Sequence, residues 1–295
     1  MLIIDSHIHM FDIYGGFDIS KPLKKIPIGF LSVLEWFNFH RPGAKDRKSA
    51  RLIGDLVFAE SCKRIQLCNP DIYLNYFDKN RISYGILMPV APNVSTEPIL
   101  EVCSKYSRMI PFASVDFNDK ASVGKLEGYM SRGCRGLKIH PVLQRIHPLS
   151  DKVYNVLEEY KKHNLPVAIH VGPCRAAMIE TVVETYASPF AIKTLACDFK
   201  DIPFIFAHMG LQYYDEVIRI AKKYENIYLD TSFQPPAVLK KAGKTIGTKR
   251  IVFGSDFPLV DQKSVIKVIC KAFHATGQRE EIFYENISNL IRFVP

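Results

Sequence analysis

His7 and His9 stand two residues apart in the opening run Leu2-Ile-Ile-Asp-Ser-His-Ile-His-Met10. On a strand that spacing turns both imidazoles to one face. Two converging imidazoles can hold a divalent metal ion through their ring nitrogens. Asp5 has the same parity, so two roles stand level: orienting one of the rings, or bonding to backbone at the strand end. Further along, His140, His170, His208, Asp230 and Asp256 also close short apolar runs. Buried strands have no ordinary reason to end in imidazole or carboxylate. Gly172 and Gly210, within two residues of His170 and His208, let the chain turn away sharply there. Asp256, in Phe253-Gly-Ser-Asp-Phe-Pro258, suits a metal ligand and a proton acceptor for bound water; a helix-capping role fits less well, because the next helix begins nearer Asp261. Asp230, followed by Thr231 and Ser232, is given mainly a structural, hydrogen-bonding role. Lys138 and His140 share parity on one run. A buried lysine is costly unless paired or chemically changed, so Lys138 either contacts a substrate carboxylate or is carbamylated and bridges two metals. For His140, simple packing beside Pro141 is the alternative.

These residues need a scaffold that gathers strand ends. Eight strands are expected at about Leu2–His7, Ser83–Pro89, Ile110–Val115, Gly136–His140, Val167–His170, Phe204–His208, Ile227–Asp230 and Ile251–Gly254. Segments of helical periodicity alternate with the later ones. Such alternation predicts a parallel sheet, and eight units predict closure into a (β/α)8 TIM-type barrel, whose strands all end on the face that carries the chemistry. A barrel of this kind takes about 250 residues, so residues 1–295 are expected to form a single domain. One stretch breaks the rhythm: an insertion over about residues 11–80, after the first strand, with Phe11, Tyr14, Phe17, Phe30, Trp36, Phe37 and Phe39 and with helical patterning at Ser49–Leu67 and Asp71–Asp78. A lid or pocket wall and a helical cap without substrate contact are equal expectations for it.

Composition narrows the function classes. Hydrophobic residues make up 47% and charged residues 23% of the chain, as in a soluble globular protein. No apolar run reaches the roughly 18 residues needed to span a bilayer, and the first strand leaves no room for a signal peptide. The expectation is a cytoplasmic protein with no membrane partner. The net charge of +9 is dispersed. Without a basic stripe interleaved with exposed aromatics, nucleic acid is not the expected partner, whereas the positive field favours an anionic small molecule. The seven cysteines are scattered with no C-x-x-C pair, which fits free thiols. A homodimer is left open.

Taken together, the Asp5-Ser-His-Ile-His9 opening, the strand-end His170 and His208, the Gly-Ser-Asp256-Phe-Pro element and the closing Phe283-Tyr-Glu-Asn-Ile-Ser-Asn-Leu-Ile291 segment resemble the amidohydrolase superfamily, specifically its amidohydrolase-related, aminocarboxymuconate-semialdehyde decarboxylase-like branch. The resemblance covers nearly the whole chain. It implies one divalent metal, zinc first, on His7, His9, His170 and Asp256. It also implies His208 as the acid/base residue beside Asp256, while Lys138, His140 and Arg175 are expected to hold an anionic substrate, a solvated helix position being the equal alternative for Arg175. Binuclear relatives carry a carbamylated lysine on the fourth strand, so a carbamylated Lys138 would bring a second ion, on His170 and His208. The leading expectation is a metal-dependent hydrolase of a small amide, lactone or ester. The alternative is a non-oxidative decarboxylase, a lyase, of an aromatic or unsaturated carboxylic acid. A TatD-type nuclease ranks below both, because Gly136-Leu-Lys138 stands where those proteins carry a glutamate-bearing segment.

Overall fold

In the computed structural model, residues 1–15, 62–66, 69–174 and 185–295 are described. Arg175 and the aromatic stretch from Phe17 to Phe39 lie outside these residues. Eight parallel strands are present among them: β1 (Ile4–Ile8), β2 (Tyr84–Leu87), β3 (Met109–Pro111), β4 (Leu137–Ile139), β5 (Val167–His170), β6 (Phe204–Ala207), β7 (Ile227–Asp230) and β8 (Ile251–Val252). All eight overlap the expected runs: β5 and β7 match them, β1 runs one residue past its expected end, β3 starts one residue early and shares only Ile110 and Pro111, and the others are shorter. They pair as β1-β2-β3 and β4-β5-β6-β7-β8. Two seams join these sheets into a ring. Ala113 bridges to Leu137 beyond β3, and Ile8 bridges to Phe257 beyond β8. Main-chain hydrogen bonds from Lys138 N to Ala113 O (2.7 Å) and from Ser6 N to Phe253 O (2.8 Å) support the same two seams. The fold is an α/β barrel of the TIM type.

Side chains alternate across the barrel wall, as strand geometry requires. Leu137 and Ile139, Val167 and Ile169, Phe204 and Phe206, and Ile227 and Leu229 pack outward in the large core beneath the helices. Their alternates Ile86, Ile110, Phe112, Ala168, Ile205 and Val252 join Ile4 in a second cluster inside the ring. The ring of Phe112 fills space that Gly136 leaves open; a Cβ on that glycine would stand 2.3 Å from it. The far end of the barrel is plugged by Ile287, Leu290 and Ile291 from the last helix.

The helices are held by amphipathic faces. Helix α1 (Pro70–Asn80) buries Tyr73 and Phe77 and is capped by the Asn69 side chain. Helix α2 (Asp151–Tyr160) buries Val153, Val156, Leu157 and Tyr160, one stripe at helical spacing. Helix α3 (Tyr214–Lys223) has Asp215 and Glu216 in its first turn and Lys222 and Lys223 in its last, matching the helix dipole. Helix α4 (Gln262–Ala272) starts after Asp261, as its sequence predicts. Among the described residues no helix is long and apolar enough to cross a membrane.

Candidate metal centre

The strand ends converge on one buried group of polar side chains. His7, His9, Lys138, His140, His170, His208, Asp230 and Asp256 are all 5% exposed or less. What places the first two is a β-bulge. Strand β1 pairs Ile4 with Tyr84 and Asp5 with Gly85, then slips so that Ile8 meets Leu87. One extra residue reverses the side-chain alternation at that point. His7 and His9 therefore turn inward, while Asp5 turns away from them. Asp5 accepts hydrogen bonds from Ser255 N (2.9 Å), Ser255 Oγ (2.5 Å), Gln262 Nε2 (2.8 Å) and His7 N (3.3 Å), and burial pushes its carboxyl up to about 7. Asp5 thus orients no imidazole. Its backbone-bonding role stands, and the shared parity expected from the sequence is cancelled by the bulge.

Asp230 has the larger role, beyond the structural one expected of it. Its Oδ2 accepts from His7 Nδ1 at 2.6 Å. Its Oδ1 accepts from His208 N and Ser232 N, both at 2.9 Å, and from Ser232 Oγ at 2.5 Å. Space for the His7–Asp230 pair comes from Gly254, where a Cβ would stand 2.9 Å from His7 Cβ and 3.1 Å from Asp230 Cγ. The chain just after β6 is strained, with positive φ at His208, Met209 and Leu211. Asp230 fixes the His208 amide, and Gln234 Nε2 donates to the His208 carbonyl at 2.6 Å.

Three imidazoles have one ring nitrogen against a group that only accepts. His7 Nδ1 faces the Asp230 carboxylate, His9 Nδ1 faces Met88 O at 2.7 Å, and His170 Nε2 faces Gly172 O at 3.1 Å. Each such nitrogen must carry the ring proton, and the opposite nitrogen is left bare. The bare His7 Nε2 and His9 Nε2 lie 3.2 Å apart, and each is 3.3 Å from Asp256 Oδ1. That oxygen is buried and accepts no hydrogen bond. Donors at 2.0–2.1 Å from a tetrahedral zinc ion stand roughly 3.3 Å from one another. Three electron-rich atoms at this spacing, one of them orphaned, fit a divalent cation. Burial also holds His7, His140, His170 and His208 below the ordinary imidazole range, which keeps their lone pairs available. Asp256 itself has φ 64°, a left-handed conformation held by its amide donating to His7 O.

Two other groups of ligand-type atoms are compact. In His7–His208–Asp230 the carboxylate is already bonded to His7 Nδ1, so that contact orients the ring. In His140–His170–Cys174 the two imidazoles stack at 4.0 Å with planes 9° apart. Imidazole lone pairs lie in the ring plane, and parallel planes share no point, so this group orients His170 rather than holding an ion. His140 is fixed in turn by Gln144 Oε1, which accepts from the His140 amide at 2.7 Å. His170 joins the site through Nδ1, 3.1 Å from His208 Nε2.

Lys138 points inward as its parity predicts. Its Nζ donates to His7 Nε2 at 3.0 Å, and burial pulls its ammonium down to about 8, against the attraction of Asp256 and Asp230. His147 and His274 are exposed. The supporting residues missed in sequence are Ser232, Gln234, Gly254 and the Met88 and Gly172 carbonyls. Only Ser232 carried a signal, by following a strand-end aspartate.

The family model described as Amidohydrolase matches residues 4–293. Among solved structures, an uncharacterised TIM-barrel protein from Bordetella bronchiseptica superposes with a TM-score of 0.71 at 17% identity, covering 99% of both chains. The 2,6-dihydroxybenzoate decarboxylase from Rhizobium gives 0.70 at 16% identity, again over 99% of both chains. A dihydroxybenzoic acid decarboxylase from Polaromonas with bound manganese gives 0.68 at 15% identity, over 99% of this chain and 97% of that one. A search of curated protein sequences gave no match.

Proposed function

Because the chain belongs to the amidohydrolase family, we propose that it is a metal-dependent lyase that removes carbon dioxide from an aromatic or unsaturated carboxylic acid without oxidation. Hydrolysis, first on sequence grounds, becomes the second reading. The structural relatives that act as decarboxylases support this order. The single observation that carries the site is the triangle of His7 Nε2, His9 Nε2 and Asp256 Oδ1, the last a buried oxygen that accepts no hydrogen bond.

In this reading His7, His9 and Asp256 hold one divalent ion, and His170 completes the set. Zinc and manganese both suit imidazole and carboxylate donors. When bound, the ion supplies Lewis-acid charge to an oxygen of the substrate. Lys138 remains an unmodified lysine and draws in the substrate's carboxylate. Its ammonium together with a divalent ion outweighs the two carboxylates Asp230 and Asp256, and an anion balances the excess. His140, stacked on His170, limits how deep a flat ring can enter. Loss of carbon dioxide breaks the carbon–carbon bond and leaves its electron pair on the ring carbon. A proton from solvent must arrive there, and Asp256 Oδ2, 4.0 Å from His208 Nδ1, is placed to take it up and pass it to that carbon. Arg175 stays a candidate second anchor for the substrate.

The test is incubation of metal-loaded protein with hydroxybenzoates and unsaturated acids in D2O. Carbon dioxide release with one deuterium on the carbon that lost its carboxylate is the expected result. Turnover of lactones or amides with no carbon dioxide from any acid would replace the lyase reading with the hydrolase one.

A further inference from the structure

The seam between β3 and β4 opens before it reaches the mouth. Ala113 N donates to Gly136 O at 2.8 Å and Lys138 N to Ala113 O at 2.7 Å, two successive rungs of a parallel pair. By that register the next rung joins His140 N to Val115 O. His140 N donates instead to Gln144 Oε1 at 2.7 Å, and Gln144 Nε2 donates to Val115 O at 2.8 Å. A main-chain N–H and a main-chain carbonyl have fixed characters, so they decide which end of the carboxamide faces which strand. Gln144 is buried, as are Ser114 and Thr96 beside it. Its Nε2 also lies 3.4 Å from Ser114 Oγ, which accepts from Ala91 N at 3.2 Å. Thr96 Oγ1 accepts from Ser114 N and donates to Ser114 O, both at 2.8 Å. Side chains thus hold the strip after β3 in place, and the end of β4 stands one amide away from it.

We propose that Gln144 is a positioning residue whose carboxamide is a spacer in the barrel wall, holding the ends of β3 and β4 apart at the mouth and setting where His140 stands. His140 is tied to the same turn, since Gln144 N donates to His140 O at 2.9 Å and Leu143 N reaches the His140 ring at 3.2 Å. That ring stacks on His170 at 4.0 Å. Without the spacer, a buried main-chain donor and a buried acceptor lose their partners, which is costly. Closing the missing rung satisfies both. Closure draws His140 toward Val115 and off the His170 ring, so the mouth narrows beside the stacked pair. The spacer follows from the ladder alone; its effect on turnover rests on the reaction proposed above.

The experiment compares zinc-loaded wild type with Gln144→Ala. A crystal structure of the variant is expected to show His140 N bonded directly to Val115 O, at about 2.9 Å, with the His140 ring displaced from His170. Calorimetric titration with benzoate and with acetate reads the width of the mouth. Loss of an outer partner commonly costs about 10–100-fold; benzoate affinity should fall in that range while acetate affinity and zinc content hold. In turnover the loss should appear in KM rather than kcat, because His208 and Asp256 are untouched. An open seam in the variant, with water in place of the carboxamide, overturns the proposal, and so does an equal loss for benzoate and acetate. Should Gln144→Ala fail to fold, hydrogen exchange in wild type decides. Slow exchange of the Gln144 side-chain amide protons is expected, and fast exchange beside a protected His140 amide overturns the spacer. No carbon dioxide release from any acid, beside a closed seam and a selective loss of benzoate, would overturn the reaction and leave the Gln144 assignment standing.

Discussion

The barrel interior is apolar at its base and polar at its mouth, although one ring of strands encloses both. At the base, Ile4, Ile86, Ile110, Ala168, Ile205 and Val252 close on the last helix. Further along β1 and β5 come His7 and His170, and β4, β7 and the segment after β8 add Lys138, Asp230 and Asp256, equally buried. Burial stabilises the base, since each large apolar side chain hidden from water contributes about 1.5–3 kcal/mol. At the mouth burial opposes the charged forms, holding the imidazoles neutral and weakening the lysine's hold on its proton. The difference teaches that the base carries stability while the mouth spends it on fixing donor atoms.

The largest test of that division is His7→Ala/His9→Ala. Elemental analysis should find the metal gone and assays should find turnover at background, while circular dichroism stays native. Full metal content in the double variant would dissolve the assignment. His208→Ala comes next: it should keep its metal and lose about 10²–10⁴-fold in kcat, as removal of one acid/base group does. Loss of the ion along with activity would make His208 a ligand and favour two ions. At the base, Ile205→Ala should cost about 2–5 kcal/mol in denaturant unfolding, with metal content and kcat per folded molecule unchanged. A kcat that fell with stability would mean that base and mouth are not separable.

The smallest effect is a slope with pH. A histidine held below its ordinary value near 6.5 binds fewer protons folded than unfolded once the pH drops under that value. Its stability contribution is complete above about 6.5 and is lost as the pH falls. His7, His140, His170 and His208 all act this way. Asp5, pushed up to about 7, acts in the opposite sense between about 4 and 7. The histidines outnumber it, so metal-free protein should lose stability on acidification from pH 7 to 5. His140→Gln should flatten the slope, by at most about 1.4 kcal/mol per pH unit. An identical slope in that variant would show that His140 is already charged in the folded protein.

The fold was legible because short apolar runs and helical stripes obey local periods, and all eight strands could be seen that way. His7, His9 and Asp256 were legible because ligand-type residues closed those runs. What escaped was the phase of β1: a bulge changes which face a residue takes, and it depends on pairing with β2, which no local pattern reports. Asp5 consequently keeps only its backbone-bonding role, while Asp230, most of the chain away, adds the orienting of His7 to its structural hydrogen bonds. The Met88 and Gly172 carbonyls were invisible for a different reason, since every residue has one and only the fold selects it.

The seam between β1 and β8 has a consequence for the order in which the molecule is made. His7 and His9 leave the ribosome before β2 to β8 are made, and Asp256 follows only after all eight strands. On the proposed ligand set, an ion held by all three would tie together points separated by most of the polypeptide, and so would act as a clasp on the finished ring rather than a guide to early folding. Because a loop of that length is costly to close in the unfolded chain, the nascent protein should bind metal only after β8 has been synthesised and docked.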